Sequence, residues 1–334
     1  MSAQLKRRDF ITLLGGAAAA WPLAAGAETN RLRRIGVLLN GPENNTEMRA
    51  EVFALQKGLR ELGWMEGRNV HFEFRWPDGD LERTRAYATE LVRLAPDVIV
   101  TGMTPAAIVL RRETPSVPVV FVNLADPVGT GLVRSLANTG GNVTGFTAFE
   151  FSITGKWLEL LKEIAPRVTR VGLIFGGPEV SPVGELFYGT FEAAARASSV
   201  EPVAIRIRNA NDVDPAIDAF AVQPNVGVVA AAEGGAVTHR VPIINAAARH
   251  RLPAVYPFRF FATDGGLAAY GVSLADQYRR AASYVDRILR GTNPSELPVQ
   301  APDKFELIFN LKTAKAQGIE ISPLLIARAD EVIE

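Results

Sequence analysis

The sequence predicts an α/β protein made of two doubly wound lobes, and three observations point there. Short apolar runs alternate with amphipathic helical stretches, the pattern of parallel strands whose sheet is covered on both faces. The alternation restarts once, so two βα series of similar length follow one another. Hydrophobic residues make up 48% of 334 positions, more apolar material than one compact core usually holds, which favours two domains.

The first series opens with RRIGVLLN (33–40), a buried strand closed by the turn-rich GPENN. Met48, Val52, Leu55, Leu59 and Leu62 then recur at spacings of 4, 3, 4 and 3 on one helical face. NVHFEFRW (69–76) is an alternating strand and ERTRAYATELVRLA (82–95) a second amphipathic helix. PDVIVTG, a helix opened by TPAAIVLRRET, and VPVVFVN supply the third and fourth strands. The second series starts after GGNVTGFTAFE (140–150) with a helix carrying Trp157, Leu160, Leu161 and Ile164. Strand RVGLIFGG, a helix near 182–198, strand PVAIRI, helix 212–222, strand VGVVAAA, helix 236–250 and strand LPAVYP follow. In doubly wound sheets ligands sit beyond the carboxyl ends of the strands. Two such lobes can turn those ends toward a shared cleft.

Ahead of these series, KRRDFITLLGG (6–16) sets two arginines before a weakly apolar run that ends in Ala25, Gly26 and Ala27, a small-x-small cleavage pattern. Residues 1–27 are read as an export signal, with Arg-Arg-x-Phe-Ile similar to the twin-arginine type. The run is too short and too rich in Gly and Ala to span a bilayer, and no later stretch reaches the roughly 20 apolar residues a span needs. Without this segment the chain holds 33 basic and 35 acidic residues, a balance that gives no reason to expect nucleic acid or an anionic membrane as partner. The absence of cysteine excludes disulfides, thiolate metal sites, a cysteine nucleophile and a lipidated N-terminal cysteine. An exported chain with no anchor is expected in the periplasm of a Gram-negative cell, where an outer membrane retains it.

His71, His239 and His250 show no metal-ligand spacing, so no metal is expected. No GxSxG elbow, Walker loop or HExxH occurs, and FGGPEVSPVGE (175–185) lacks the basic residue of a phosphate cradle. No cofactor and no catalytic residue is therefore assigned. The loops at the strand ends are more informative. In TGMTPAA, Thr104 is read as a helix N-cap before Pro105, and its hydroxyl and the free N–H groups beside it could also hold an anion such as a carboxylate. Asp126 precedes Pro127, which reads as the start of a helix, so it is either a cap or a ligand contact. Glu233, after an apolar strand, is either a solvated turn residue or the partner of a ligand ammonium. Tyr256, Phe258, Phe260 and Phe261 offer rings that pack in a core or stack on a ligand.

These segments together resemble the family of ABC-transporter substrate-binding proteins that includes tryptophan- and tyrosine-associated uptake components. The matching text is IGVLLNG, GLRELGWxEGRNV, TPAA, VFVNLADPVGTGLV, GGNVTGF, KxLELLKEIAP, GGLAAYGVSLADQYRRAA, ILRGTNPSELPV and FNLKTAKAQGIEI, where x is any residue, in this order over nearly all of the chain after residue 27. The resemblance implies a type I periplasmic binding protein: two Rossmann-like lobes, a hinge of three crossings near Thr147, Val272 and Pro298, and a ligand enclosed by closure. It places 33–147 with 272–297 in one lobe and 148–271 with 298–334 in the other. It implies a ligand site formed by Asn40, Gly41, Asn44, Thr104 and Asp126 opposite Gly176, Gly177, Glu233 and Tyr256. The implied function is capture of a small organic solute, such as an amino acid or similar zwitterion, for a membrane permease and its ATPase. A monomer is expected, since a clamp that opens and docks needs no permanent partner. A ligand sensor reporting to a membrane kinase would use the same clamp. A periplasmic hydrolase is the enzyme alternative, with Asp126 and Glu233 on opposite lobes and no nucleophile marked by a motif.

Overall fold

Buried strand residues divide between the two faces of their sheet with a period of two, and this places the helices. A computed structural model describes residues 31–39, 41–102, 104–176 and 182–334; residues 1–27, read above as an export signal, Asn40 and Gly177 lie outside the described residues. Strands β1 (Arg33–Leu38), β2 (Val70–Arg75), β3 (Val98–Gly102), β4 (Val119–Leu124) and β5 (Val143–Thr147) form a parallel sheet in the order β2-β1-β3-β4-β5. Val98, Val100, Val120 and Val122 enter one hydrophobic cluster, while Ile99, Val119 and Phe121 enter another on the opposite face. Helix α1 (Thr46–Glu61) covers the first face, and α2 (Leu81–Arg93) and α3 (Thr104–Glu113) cover the second. Asn45 and Asp80 start α1 and α2 by accepting from the N–H groups of Met48 and Arg83.

The second lobe has seven strands in the order β12-β11-β10-β9-β8-β6-β7. They are β6 (Arg170–Gly176), β7 (Glu201–Ile207), β8 (Val226–Ala230), β9 (Ala254–Tyr256), β10 (Ala268–Val272), β11 (Phe305–Asn310) and β12 (Glu331–Ile333). Helices α4 (Ile153–Ile164), α5 (Pro182–Ala197), α6 (Ala210–Ala221), α7 (Gly234–Thr238), α8 (Arg240–Arg249) and α9 (Arg259–Thr263) accompany this sheet. Trp157 of α4 lies at the centre of its core, fully buried between Phe149 and Phe187.

Helix α10 (Leu274–Leu289) leaves the second sheet and returns to the first, against α1. The approach is close: a Cβ on Gly58 would lie 2.8 Å from the Ala282 Cβ and 2.9 Å from the Arg279 carbonyl oxygen. Glycine is what lets the two helices meet there. Helices α11 (Leu311–Gln317) and α12 (Pro323–Arg328) complete the second lobe.

Three passages join the lobes, and hydrogen bonds tie them to one another. Thr147 N–H donates to the Gln300 carbonyl at 2.9 Å, and Gln300 N–H to the Gly145 carbonyl at 2.9 Å. Gln277 Nε2 donates to the Thr147 carbonyl at 2.7 Å, and Ser273 N–H to the Lys304 carbonyl at 3.2 Å.

The fold departs from the sequence reading at several places. The second sheet is mixed, because β10 and β11 pair antiparallel, whereas the alternation of strands and helices predicts parallel pairing. β5 is a fifth strand of the first sheet, in a segment to which the sequence reading assigns no element; Thr144 and Thr147 interrupt its apolar run, and both hydroxyls are satisfied by the Leu297 and Gln300 carbonyls. The predicted helix 236–250 is two helices divided at His239. No helix begins at Pro127: residues 127–130 form a turn, closed by the Gly129 N–H donating to Asp126 Oδ1 at 2.7 Å.

Candidate functional site

The carboxyl ends of β1, β3, β4 and β8 converge on a cavity of about 450 Å³ between the lobes. Its walls are largely apolar, with Leu39, Met48, Pro105 and Ala125 on one side and Ala232, Val237, Phe258 and Phe260 on the other. A few polar groups converge on it, the usual build of a small-molecule site.

Thr104 and Glu233, both named from the sequence, face each other across this cavity. Thr104 stands at the first position of α3, directly beyond β3. Glu233 is only 5% exposed and is the N-cap of α7, with its carboxylate held by backbone: Oε1 accepts from Gly176 N–H at 2.9 Å and Ala236 N–H at 2.7 Å, and Oε2 from Gly235 N–H at 2.8 Å. Gly176 thereby supports the wall through Glu233. Replacing Glu233 by Ala strips three buried donors of their acceptor and is expected to cost about 2–3 kcal/mol in urea denaturation. Asp126→Ala, which frees one N–H in an exposed turn, should cost under about 1 kcal/mol. Equal losses from the two substitutions would refute this assignment.

The other expected residues lie elsewhere. Asn44 is exposed, and its neighbour Asn45 reaches the cavity. Gly41 is buried, with the Met48 side chain where a Cβ would be. Asp126 is engaged in its own turn, beside Ala125, which does line the cavity. Tyr256 belongs to the second core: it is 1% exposed, its ring stacks on Phe261 at 5.1 Å, and burial pushes its hydroxyl pKa up. The aromatic run therefore divides, with Tyr256 and Phe261 in the core, Phe260 on the cavity wall, and Phe258 buried in the core at the wall itself.

The polar residues of the site that escape sequence reasoning include Glu51, Tyr278, Asn123 and Arg240. Glu51 on α1 and Tyr278 on α10 line the first-lobe side, where the Tyr278 hydroxyl acts to lower the Glu51 pKa. Burial, reinforced by Glu47, pushes the Glu51 pKa up to about 8. Its sequence signal is a carboxylate on the apolar face of α1, three residues from Met48 and four from Leu55. Asn123, at the end of β4 with φ of 58°, lines the same side. Across from them Arg240 pairs with Asp264 at 2.7 Å and lies over the Phe260 ring at 5.4 Å.

Two α/β lobes, one on a parallel and one on a mixed sheet, three hydrogen-bonded crossings and a cavity at facing strand ends define a two-lobed small-molecule binding protein. Residues 34–333 match the family model described as ABC transporter substrate binding protein, and the chain belongs to that family. It is similar to a "Tyrosine-binding protein" of Clostridioides difficile (strain R20291), 26% identical over 265 residues that make up 79% of this chain and 75% of that protein. Among solved structures, a conserved domain protein from Vibrio cholerae superposes with a TM-score of 0.81 at 27% identity, over 90% of this chain and 100% of the other. The ABC domain in complex with L-Trp from Streptococcus pneumonia gives a TM-score of 0.81 at 22% identity, over 91% and 100%. These neighbours share the fold of type I periplasmic binding proteins. The family binds small molecules and works with ABC permease partners outside the cytoplasm; it is a family of solute-binding proteins and not of enzymes. Among the described residues no helix is long and apolar enough to cross a membrane.

Proposed function

We propose that this chain captures a small organic solute, an amino acid or similar zwitterion, in the Gram-negative periplasm and delivers it to an ABC permease and its ATPase. The observation that carries the reading is the cavity itself, lined by both lobes at their strand ends. The moving units are 33–147 with 272–297 and 148–271 with 298–334. A ligand that touches both walls binds the closed arrangement better than the open one and shifts the population toward it. The relatives support the ligand class through a tyrosine-binding protein and an L-Trp complex, and Phe258 and Phe260 supply apolar walls for a ring. A ligand carboxylate would rest against Thr104 and the start of α3.

Calorimetry with L-tryptophan and L-tyrosine tests the reading, together with small-angle scattering before and after addition. Saturable binding with a fall in radius of gyration is expected. Thr104→Ala should weaken affinity roughly 10- to 150-fold, the range for one hydrogen bond to a charged group. No binding by these or other amino acids would overturn the assigned ligand class.

A further inference from the structure

Glu51 is unusual among the acidic residues of the cavity. It is 8% exposed, and the side chains acting on it are the Tyr278 hydroxyl and the Glu47 carboxylate, with no cation among them. On the same wall Asn123 Oδ1 is buried without a hydrogen-bond partner. A buried acceptor without a donor is costly, so this wall has hydrogen-bond capacity to give.

The groups facing Glu51 across the cavity do not fill that need. Glu233 has its carboxylate oxygens held by three backbone N–H groups. Arg240 already has Asp264 as its counter-ion. His239 is the remaining titratable group on that side. With Glu47, Glu51 and Glu233 on its walls, the cavity disfavours an anion unless that anion carries its own cation. It suits a donor-rich cation that also has an apolar body.

We propose that Glu51 is the specificity residue for a primary ammonium group, and that binding expels the Glu51 proton to solvent. This rests on the solute-binding reading above. In this cycle the free protein holds Glu51 as the neutral acid on the same wall as Tyr278. An incoming R–NH₃⁺ favours the carboxylate, the carboxyl O–H bond breaks, the proton goes to water, and the –COO⁻ pairs with the ammonium. The elevated Glu51 pKa fits this cycle, since at neutral pH a proton is there to be released.

Calorimetry at pH 6.5 in two buffers of different ionisation enthalpy counts the protons, using L-tryptophan, L-tyrosine, tyramine, 3-(4-hydroxyphenyl)propionate and myo-inositol as probes. The amine-bearing compounds should bind with close to one proton released, falling toward zero above pH 8.5. Their affinity should rise up to tenfold per pH unit between pH 6 and 8. The des-amino acid should bind at least 100-fold more weakly than L-tyrosine. Glu51→Gln should abolish proton release and weaken amine binding at least 30-fold at pH 8, while Tyr278→Phe should keep the release. Amine binding without proton release, or with release that survives in Glu51→Gln, overturns the proposal. Tight binding of myo-inositol or the des-amino acid alone overturns it too, yet leaves a solute-binding protein. Binding of no probe removes both the proposal and the amino-acid reading.

Discussion

Replacing Trp157 by alanine is expected to cost about 3–5 kcal/mol, read from the midpoint of urea denaturation. The indole is fully buried in the second lobe, in edge contact with Phe149 at 6.1 Å and tilted against Phe187 at 5.8 Å. Its Nε1 donates to the Tyr270 carbonyl at 2.7 Å, so truncation leaves a cavity and also orphans a carbonyl in the middle of β10. Because β10 runs directly into the crossing at Ser273, loosening it should also weaken the joint between the lobes. Trp157→Phe keeps much of the volume and loses the donor, and should fall between the wild type and Trp157→Ala. A loss below about 1.5 kcal/mol for the alanine variant would show that the second core does not depend on this residue.

The second large effect is a pH dependence. Burial first of all raises the Glu51 pKa from 4.5 to about 8, while the Tyr278 hydroxyl opposes and Glu47 adds to the shift. Between those pH values the folded chain keeps a proton that the unfolded chain has lost, so folding takes up a proton. The stability contributed by the neutral acid is complete below about pH 4.5 and falls as pH rises toward 8, by about 1.4 kcal/mol per unit. Glu51→Gln cannot ionise and should lose that slope. Its stability should match the wild type near pH 4.5 and exceed it by roughly 4–5 kcal/mol at pH 8. A difference between the two urea midpoints that stays constant from pH 5 to 8 would show that Glu51 titrates normally. That a residue so costly at neutral pH sits on the cavity wall is consistent with a role toward ligand.

Much of the fold was legible because its signals are local. The apolar runs at 33–40 and 98–102, and the spacing from Met48 to Leu62, state which face is buried without reference to any other segment. β5 and β10 were not legible. β5 mixes threonines with apolar residues, and those threonines are satisfied only by carbonyls near residue 300. β10 is short and rich in small residues, and its antiparallel partner arrives after a whole helix has been spent in the other lobe. At Asp126 local chemistry misled: a polar residue before proline suits a helix start, but Asp126 has a φ of 44° and closes a turn.

The sequence by itself determined the alternating strands and helices, the restart that makes two lobes, and the loops such as TGMTPAA from which a site can be built. It also marked Thr104 and Glu233. Only the tertiary structure decided that Glu233 spends its carboxylate on backbone N–H groups, that Tyr256 turns into the core, and that Glu51 and Tyr278 share a cavity with Asn123, whose Oδ1 is unpaired. The physical reason is range. Helical faces and strand alternation follow from the few residues on either side, whereas the charge state of a carboxyl and the freedom of an acceptor depend on which distant groups remove water from it.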